Sequence, residues 1–338
     1  MKRGVFLLVL LLCISTVSAA SLYDYDQLVL ELEVDGSFDL IPTQSGGTIK
    51  QVKTNLLLFP KDNFRQTIVN IDTEGIVEEN HINYIWTDKR VEEKQYGYEA
   101  TVQTKNKRNK VSKKIAFPIS KEKLIGFEQY TEPTETIDSN DINIIKMASE
   151  LAEGEDDLFK VSFKLAEWVE KNIKYDLNTL TASASQTASW TLENKNGVCD
   201  EMTSLFVAMA RSLGIPARFA SGISYSTSDL FDEPWQPHGW GEVYFPEVGW
   251  VGFDITFGEY GYVDVTHIKL RDGFDPKEPA TEFEWFANNI DLEAKNLDFN
   301  VKVLDQGTLT EDEIVLSTDV HASKIGFNSY NRVKGIII

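Results

Sequence analysis

The 338-residue chain predicts an α+β protein: a β-sandwich, then a helical and strand-bearing core, then further strands. Three observations carry this expectation. Apolar residues alternate at period two through roughly the first hundred residues, the spacing becomes helical between residues 142 and 213, and strand alternation returns from Arg218 onward. With 42% hydrophobic and 11% aromatic residues, the chain has enough apolar surface to bury a substantial core and enough length for two domains.

Residues 1–20 read as a signal peptide. Lys2 and Arg3 precede the apolar run 5–14, and Val17-Ser18-Ala19-Ala20 offers a small-residue cleavage site. Cys13 follows Leu12 rather than a small residue, which favours export over lipidation, and no later run is long enough to span a bilayer. A secreted or cell-surface location is therefore expected. From residue 21 to about 119, Leu28, Leu30, Leu32 and Val34 alternate with polar neighbours, as do Ile82, Tyr84 and Trp86, and Tyr96, Tyr98, Ala100 and Val102. Short alternating runs broken by Gly36, Gly46-Gly47 and Gly75 predict an antiparallel sandwich over 21–130. His81 lacks companion ligands and reads as a sheet-surface histidine.

A net charge of −20, more negative once Lys2 and Arg3 are removed, disfavours nucleic-acid and anionic-lipid partners. Against it stands a basic run, Lys105, Lys107, Arg108, Lys110, Lys113 and Lys114, read as a solvated hairpin, or alternatively as a contact for an acidic surface polymer. No aromatic residues interleave with it, which again excludes a nucleic-acid interface.

After a linker at 131–141, a core domain is expected over 138–280. Ile142, Ile145, Ala148 and Leu151 form one helical stripe closed by Gly154. A second helix begins near Asp156-Asp157 with Leu158, Val161, Leu165, Trp168, Val169 and Ile173 on one face. A polar stretch leads to a third, amphipathic helix carrying Met202, Leu205, Phe206, Met209 and Leu213, ended by Gly214 and Pro216. Beyond residue 280, Phe299-Asn300-Val301-Lys302-Val303 and Glu313-Ile314-Val315-Leu316 look like strands, and the closing Gly335-Ile336-Ile337-Ile338 like a strand interior. A C-terminal β extension over 281–338, an incomplete sandwich, is expected. His321 has no companions and receives no role.

The chemistry concentrates around Cys199, the only cysteine outside the leader. Exported proteins normally pair their cysteines, so a lone one is an accident or a reactive group. It opens the third helix, where unpaired N–H groups and the helix dipole favour a thiolate, lower the thiol pKa and offer donors to an oxyanion. Downstream lie His238 and Asp254, 16 residues apart on what reads as a hairpin. An even separation puts both on one face only if the loop has an odd number of residues. A loop centred on Pro246 would set them directly opposite, with Cβ atoms about 4.5–5.5 Å apart. A thiol, an imidazole and a carboxylate are the parts of a cysteine acyl-transfer site.

Three motifs then carry a resemblance. Gly197-Val198-Cys199-Asp200 with Leu213-Gly214-Ile215-Pro216-Ala217-Arg218, His238-Gly239-Trp240-Gly241-Glu242-Val243, and Gly249-Trp250-Val251-Gly252-Phe253-Asp254-Ile255-Thr256 resemble the transglutaminase-like superfamily. Gly239 replaces the usual alanine and Ile255 the usual proline. The resemblance spans about 140–275 and implies a papain-like core, with the cysteine helix packed on an antiparallel sheet. It also implies Cys199 as nucleophile, His238 as general base and Asp254 as the group that orients it. Tyr175, Gln186, Trp190 and Trp240 are candidates for substrate or oxyanion contacts. His267 reads as a structural or rim residue. No cofactor or metal is assigned. Some members of the superfamily use Ca²⁺, which stays open, although no acidic calcium loop or His/Cys ligand set is evident. The implied reaction is thioester-mediated attack on an amide of a peptide, protein or cell-surface polymer, ending in hydrolysis. Cross-linking transamidation, or a binding scaffold built on a retired enzyme core, are the alternatives.

Overall fold

The computed structural model describes residues 21–179 and 185–310. The expected leader, the expected strand at 313–316, His321 and the final isoleucines lie outside the described residues. Among those described, no helix is long and apolar enough to cross a membrane.

The first half of the chain supplies β1 (Gln27–Pro42), β2 (Thr48–Leu56), β3 (Gln66–Asp72), β4 (Ile76–Val77), β5 (Ile82–Trp86) and β6 (Lys94–Lys105). Two antiparallel sheets form from them. One places β6 between β1 and β3, and the other places β5 between β2 and β4. The alternation seen in the sequence is the alternation of burial: Leu28, Leu30, Leu32 and Val34 on β1, and Tyr96, Tyr98, Ala100 and Val102 on β6, all face one shared core.

The core domain follows with α1 (Ile142–Ala152), α2 (Leu158–Asn172), β7 (Lys174–Tyr175), α3 (Ala188–Asn194), β8 (Asn196–Gly197) and α4 (Cys199–Ser212). Asp141 and Asp157 cap α1 and α2 by accepting from the first free N–H groups. A five-stranded antiparallel sheet comes next, built from β9 (Ala217–Tyr225), β10 (Trp235–Phe245), β11 (Gly249–Asp254), β12 (Glu259–Tyr260) and β13 (Ile268–Gly273), in the order β12-β11-β10-β9-β13. Helix α4 lies between this sheet and the other three helices and is buried from Glu201 through Arg211. The expected amphipathic helix is thus enclosed on all sides. The apolar face of α1 is also rotated from the expected stripe: Ile144, Ala148 and Ala152 are buried, while Ile142 is 71% exposed.

The C-terminal strands correct the expected domain plan. β14 (Thr281–Asn288) pairs with β2, while β15 (Ile290–Ala294) and β16 (Asp298–Gln306) both pair with β1. Residues 281–306 therefore do not begin a separate, incomplete sandwich. They complete the first one, because the outer edges of β1 and β2 would otherwise present unpaired backbone groups. The core domain is an insertion between β6 and β14.

The expected boundary at residue 130 and the solvated hairpin at 105–114 are corrected as well. Strand pairing ends at Lys105, and residues 106–119 run as an arm along the core domain. Val111, Ile115 and Phe117 pack against its apolar cluster, Asn109 donates to the Trp250 carbonyl, and Arg108 stacks on Tyr262. The sandwich and core share apolar contacts through Ile223, Val265, Ile268 and Leu270. Polar ties reinforce this seam, with Thr104 Oγ1 donating to the Val265 carbonyl at 2.6 Å and Gln66 bonded to both backbone groups of Lys269.

Candidate active site

Val198 precedes α4 in extended backbone and donates its N–H to the Glu201 carboxylate at 3.0 Å, so the helix begins with Cys199. Glu201 is 3% exposed and also accepts from the Gln186 N–H at 2.9 Å, which pins the loop before α3 to the start of α4. Cys199 is half-buried. Its thiol donates toward Asp200 Oδ1 at 3.7 Å, and its sulfur is reached by a hydrogen bond from the backbone of Gly239, the neighbour of His238.

The β10–β11 hairpin pairs Phe245 with Gly249 and Gly241 with Phe253, leaving the three-residue loop 246–248. The loop is odd, so His238 and Asp254 share a face. It is centred on Glu247, which takes positive φ, rather than on Pro246. Extending this register puts Asp254 opposite Trp240, so it meets His238 diagonally instead of directly across the hairpin. The imidazole spans the offset, and His238 Nε2 lies 2.6 Å from Asp254 Oδ2. Phe257 stacks on the His238 ring at 4.9 Å and donates its N–H to Asp254 Oδ1 at 3.0 Å, holding both groups from one turn.

Gly239 is required here. A Cβ at this position would stand 2.2 Å from the Phe219 ring and 3.0 Å from Asp200, so the alanine of the superfamily pattern does not fit. Glu242, the acidic member of the same motif, accepts from Arg218 at 2.6 and 2.8 Å and from Lys269 at 3.1 Å. Those two cations hold its carboxyl down at about 2 despite burial, and the cluster bolts β9, β10 and β13 together.

Electrostatics around the thiol differ from the expected lowering. Burial and the carboxylates of Asp200, Asp254 and Glu201 push the Cys199 pKa well above the usual thiol range. A helix end contributes about 0.3–1 kcal/mol, less than one pKa unit, and does not offset them. Burial and Glu201 raise Asp200 also. Asp254 is fully enclosed, yet two histidines keep it well below the ordinary carboxylate range.

The second of those histidines is His267, 1% exposed and therefore not a rim residue. It stands just before β13, with Nε2 2.9 Å from Asp254 Oδ2 and Nδ1 3.1 Å from Asp264 Oδ1. Arg65, from the loop between β2 and β3, donates to the Asp264 carbonyl, and Glu259 accepts from the Asp264 N–H at 2.8 Å. No motif announces His267, Asp264 or Arg65. The only signal in the sequence is the shortage of histidine, four in the chain, with one placed 13 residues after Asp254.

Of the expected oxyanion candidates, Tyr175 is the one whose hydroxyl feels the charges of Cys199, Asp200 and Asp254, and burial keeps that hydroxyl protonated. Its strand β7 pairs with β8, setting Tyr175 beside Gly197. Trp240 is 1% exposed and packed against His267, which leaves no surface for substrate. No hydrogen bond or ring contact joins the side chain of Trp190 or Gln186 to Cys199, His238 or Asp254 among the described residues. Two sets could bring ligand atoms to one ion, His238 with Asp254 and His267, and Glu259 with Asp264 and His267. Their mixed nitrogen and oxygen donors suit a transition metal better than Ca²⁺, and hydrogen bonds already link His238, Asp254, His267 and Asp264 within them.

Residues 145–255 match the transglutaminase-like superfamily. A stretch of 92 residues is 37% identical to the uncharacterized protein YebA of Bacillus subtilis, covering 24% of this chain and 12% of that protein, so the chain spans about an eighth of that curated relative. Among solved structures, a candidate cysteine protease from Cytophaga hutchinsonii aligns over 83% of this chain and 93% of its own length, with TM-score 0.57 and 17% identity. The two share a fold. The periplasmic domain of TgpA from Pseudomonas aeruginosa aligns over 70% of this chain and 90% of its own, at TM-score 0.37 and 13% identity.

Proposed function

We propose that the protein is an exported cysteine hydrolase that cleaves a peptide or amide bond through a Cys199–His238–Asp254 triad. The observation that carries this reading is the buried 2.6 Å contact between His238 Nε2 and Asp254, formed one residue from the Gly239 backbone that reaches the Cys199 sulfur. With Nε2–H donating to Asp254, Nδ1 is the ring nitrogen left to accept the thiol proton. Because the resting thiol is protonated, His238 takes its proton as sulfur attacks the carbonyl carbon. The tetrahedral oxyanion is met by N–H groups at the start of α4 and by the neutral Tyr175 hydroxyl. Collapse to a thioester expels the amine, which leaves with the proton held by His238. Water, deprotonated by the same imidazole, then releases the acid and restores the thiol. The description of the Cytophaga protein as a cysteine protease candidate fits this reading.

The test is an assay of the full chain on peptides and glutamine amides, with and without a primary amine. Release of ammonia or peptide fragments without amine incorporation is expected, and Cys199→Ala should abolish it. Amine incorporation as the main product would replace hydrolysis by transamidation. Activity that survives Cys199→Ala would remove the triad from consideration.

A further inference from the structure

We propose that His238, Asp254 and His267 form a binding site for a divalent transition-metal ion of the Zn²⁺ type, and that the ion switches off the base when it binds; the second clause rests on the triad proposed above. A cysteine acyl-transfer site needs one imidazole on its carboxylate. Here two converge on a single oxygen, with Asp254 Oδ2 2.6 Å from His238 Nε2 and 2.9 Å from His267 Nε2. The second histidine is what acyl transfer leaves unexplained. All three residues are buried, and their ligand atoms lie within 4.8 Å of one another. Ligands bound to Zn²⁺ at about 2.0–2.1 Å stand about 3.3 Å apart in a tetrahedral site, so the Asp254 carboxylate has to retreat by only about half an ångström.

The surroundings hold these atoms in place. Asp254 Oδ1 is engaged by the Phe257 N–H at 3.0 Å, which leaves Oδ2 as the atom shared by both rings. On the far side of its ring, His267 Nδ1 meets Asp264 Oδ1 at 3.1 Å. A carboxylate in that position fixes the tautomer and orientation of metal-binding histidines. Asp264 is braced in turn by the Thr266 N–H at 2.8 Å and the Thr266 hydroxyl at 2.6 Å. The other set, Glu259 with Asp264 and His267, is less suited, because both of its carboxylates already accept hydrogen bonds from Asp264 and Thr266 N–H groups. Two imidazoles and one carboxylate favour Zn²⁺ and its neighbours over Ca²⁺ or Mg²⁺, which take oxygen ligands. The His238 side chain is 5% exposed and those of Asp254 and His267 are fully enclosed, so the ion enters past the His238 ring. Occupancy changes the tautomer on which the proposed reaction depends. A neutral imidazole ligated through Nε2 carries its proton on Nδ1, and Nδ1 is the atom that accepts the thiol proton in the reaction above. A loaded His238 therefore has no lone pair for Cys199, and the free cation concentration sets the fraction of active enzyme.

The experiment is calorimetric titration of the full chain with Zn²⁺ alone, repeated with Co²⁺ and read by its visible d–d absorption. Cys199→Ala is the background, because a thiolate binds zinc on its own account. A single site per chain is expected there. Adding His267→Gln should abolish it. Adding Asp264→Asn, which keeps all three ligands, should weaken it roughly 10–100-fold, and this variant decides the matter if His267→Gln fails to fold. In the wild type, Zn²⁺ should inhibit hydrolysis at the concentration that fills the site, and a chelator should restore it. Binding lost in Cys199→Ala alone, or unchanged by both His267→Gln and Asp264→Asn, would overturn the site. Turnover that continues with the site filled would overturn the switch. Zinc held at this cluster by a wild-type chain without hydrolase activity would end the proposed function and leave the site standing.

Discussion

At the scale of single residues, Gly239 shows how neighbours decide what a motif position tolerates. The alanine expected at this place would meet Phe219 at 2.2 Å. Gly239→Ala is accordingly predicted to destabilise this protein by about 1–3 kcal/mol, the usual cost of overpacking. Urea unfolding would measure it, and adding Phe219→Leu should recover most of the loss. Cys199 and His238 stood out in the sequence because cysteine and histidine are scarce in it, whereas Asp254, one of many acidic residues, was marked out by its even separation from His238 across a hairpin whose loop is odd. The direction of the Cys199 shift was not legible. It depends on which carboxylates fold around the sulfur, whereas the helix dipole is visible from sequence alone. Arg65 was hidden for a related reason: it lies 199 residues from Asp264, the group it supports.

Among the secondary-structure elements, period and punctuation located most strands and all the long helices, and partnership was what the sequence withheld. α4 was read as amphipathic from Met202, Leu205, Phe206, Met209 and Leu213. The unbroken Leu205-Phe206-Val207-Ala208-Met209-Ala210 run was the sign of a helix covered all round. The basic segment 105–114 looked like a solvated hairpin because its lysines mask Val111 and Ile115, which anchor it on the core. β14, β15 and β16 were recognised as strands in part, but alternation does not say which edge a strand joins. Their pairing with β2 and β1 makes a prediction. A chain ending at Ala280 should lose the sandwich and aggregate through the bared edges of β1 and β2. Size-exclusion chromatography and near-UV circular dichroism would show this, and a monomeric, natively packed product would contradict the assembly described above.

Across the whole molecule, the buried charges set a pH window for stability. Asp254, Asp264 and Glu242 have depressed carboxyl pKa values, Asp264 and Glu242 at about 2. Their contribution is present above the unfolded values of 3.8 and 4.5 and is lost as pH falls through the folded ones. His267 works in the opposite direction. Its pKa rises from 6.5 unfolded to about 10, so its contribution is complete below 6.5 and fades as pH climbs toward 10. Thermal stability should therefore peak between about pH 4.5 and 6.5, and His267→Gln should flatten the alkaline side and also weaken the acidic side, because His267 helps hold Asp254 and Asp264 down. Calorimetry across pH reads both limbs, and an alkaline limb unchanged by the substitution would argue against the linkage.

The return of the chain to its starting sandwich also has a mechanical consequence. Tyr25 bridges Leu309, Asp26 accepts from Thr308, and Thr310 donates to the Asp24 carbonyl, so residues 24–26 and 308–310 are stitched side by side. Tension applied between these two segments is borne by that stitch and by β1 with β16. It does not travel through α4 or the hairpin that carries His238 and Asp254. The sandwich carries that load, and the core domain inserted between β6 and β14 lies off its path.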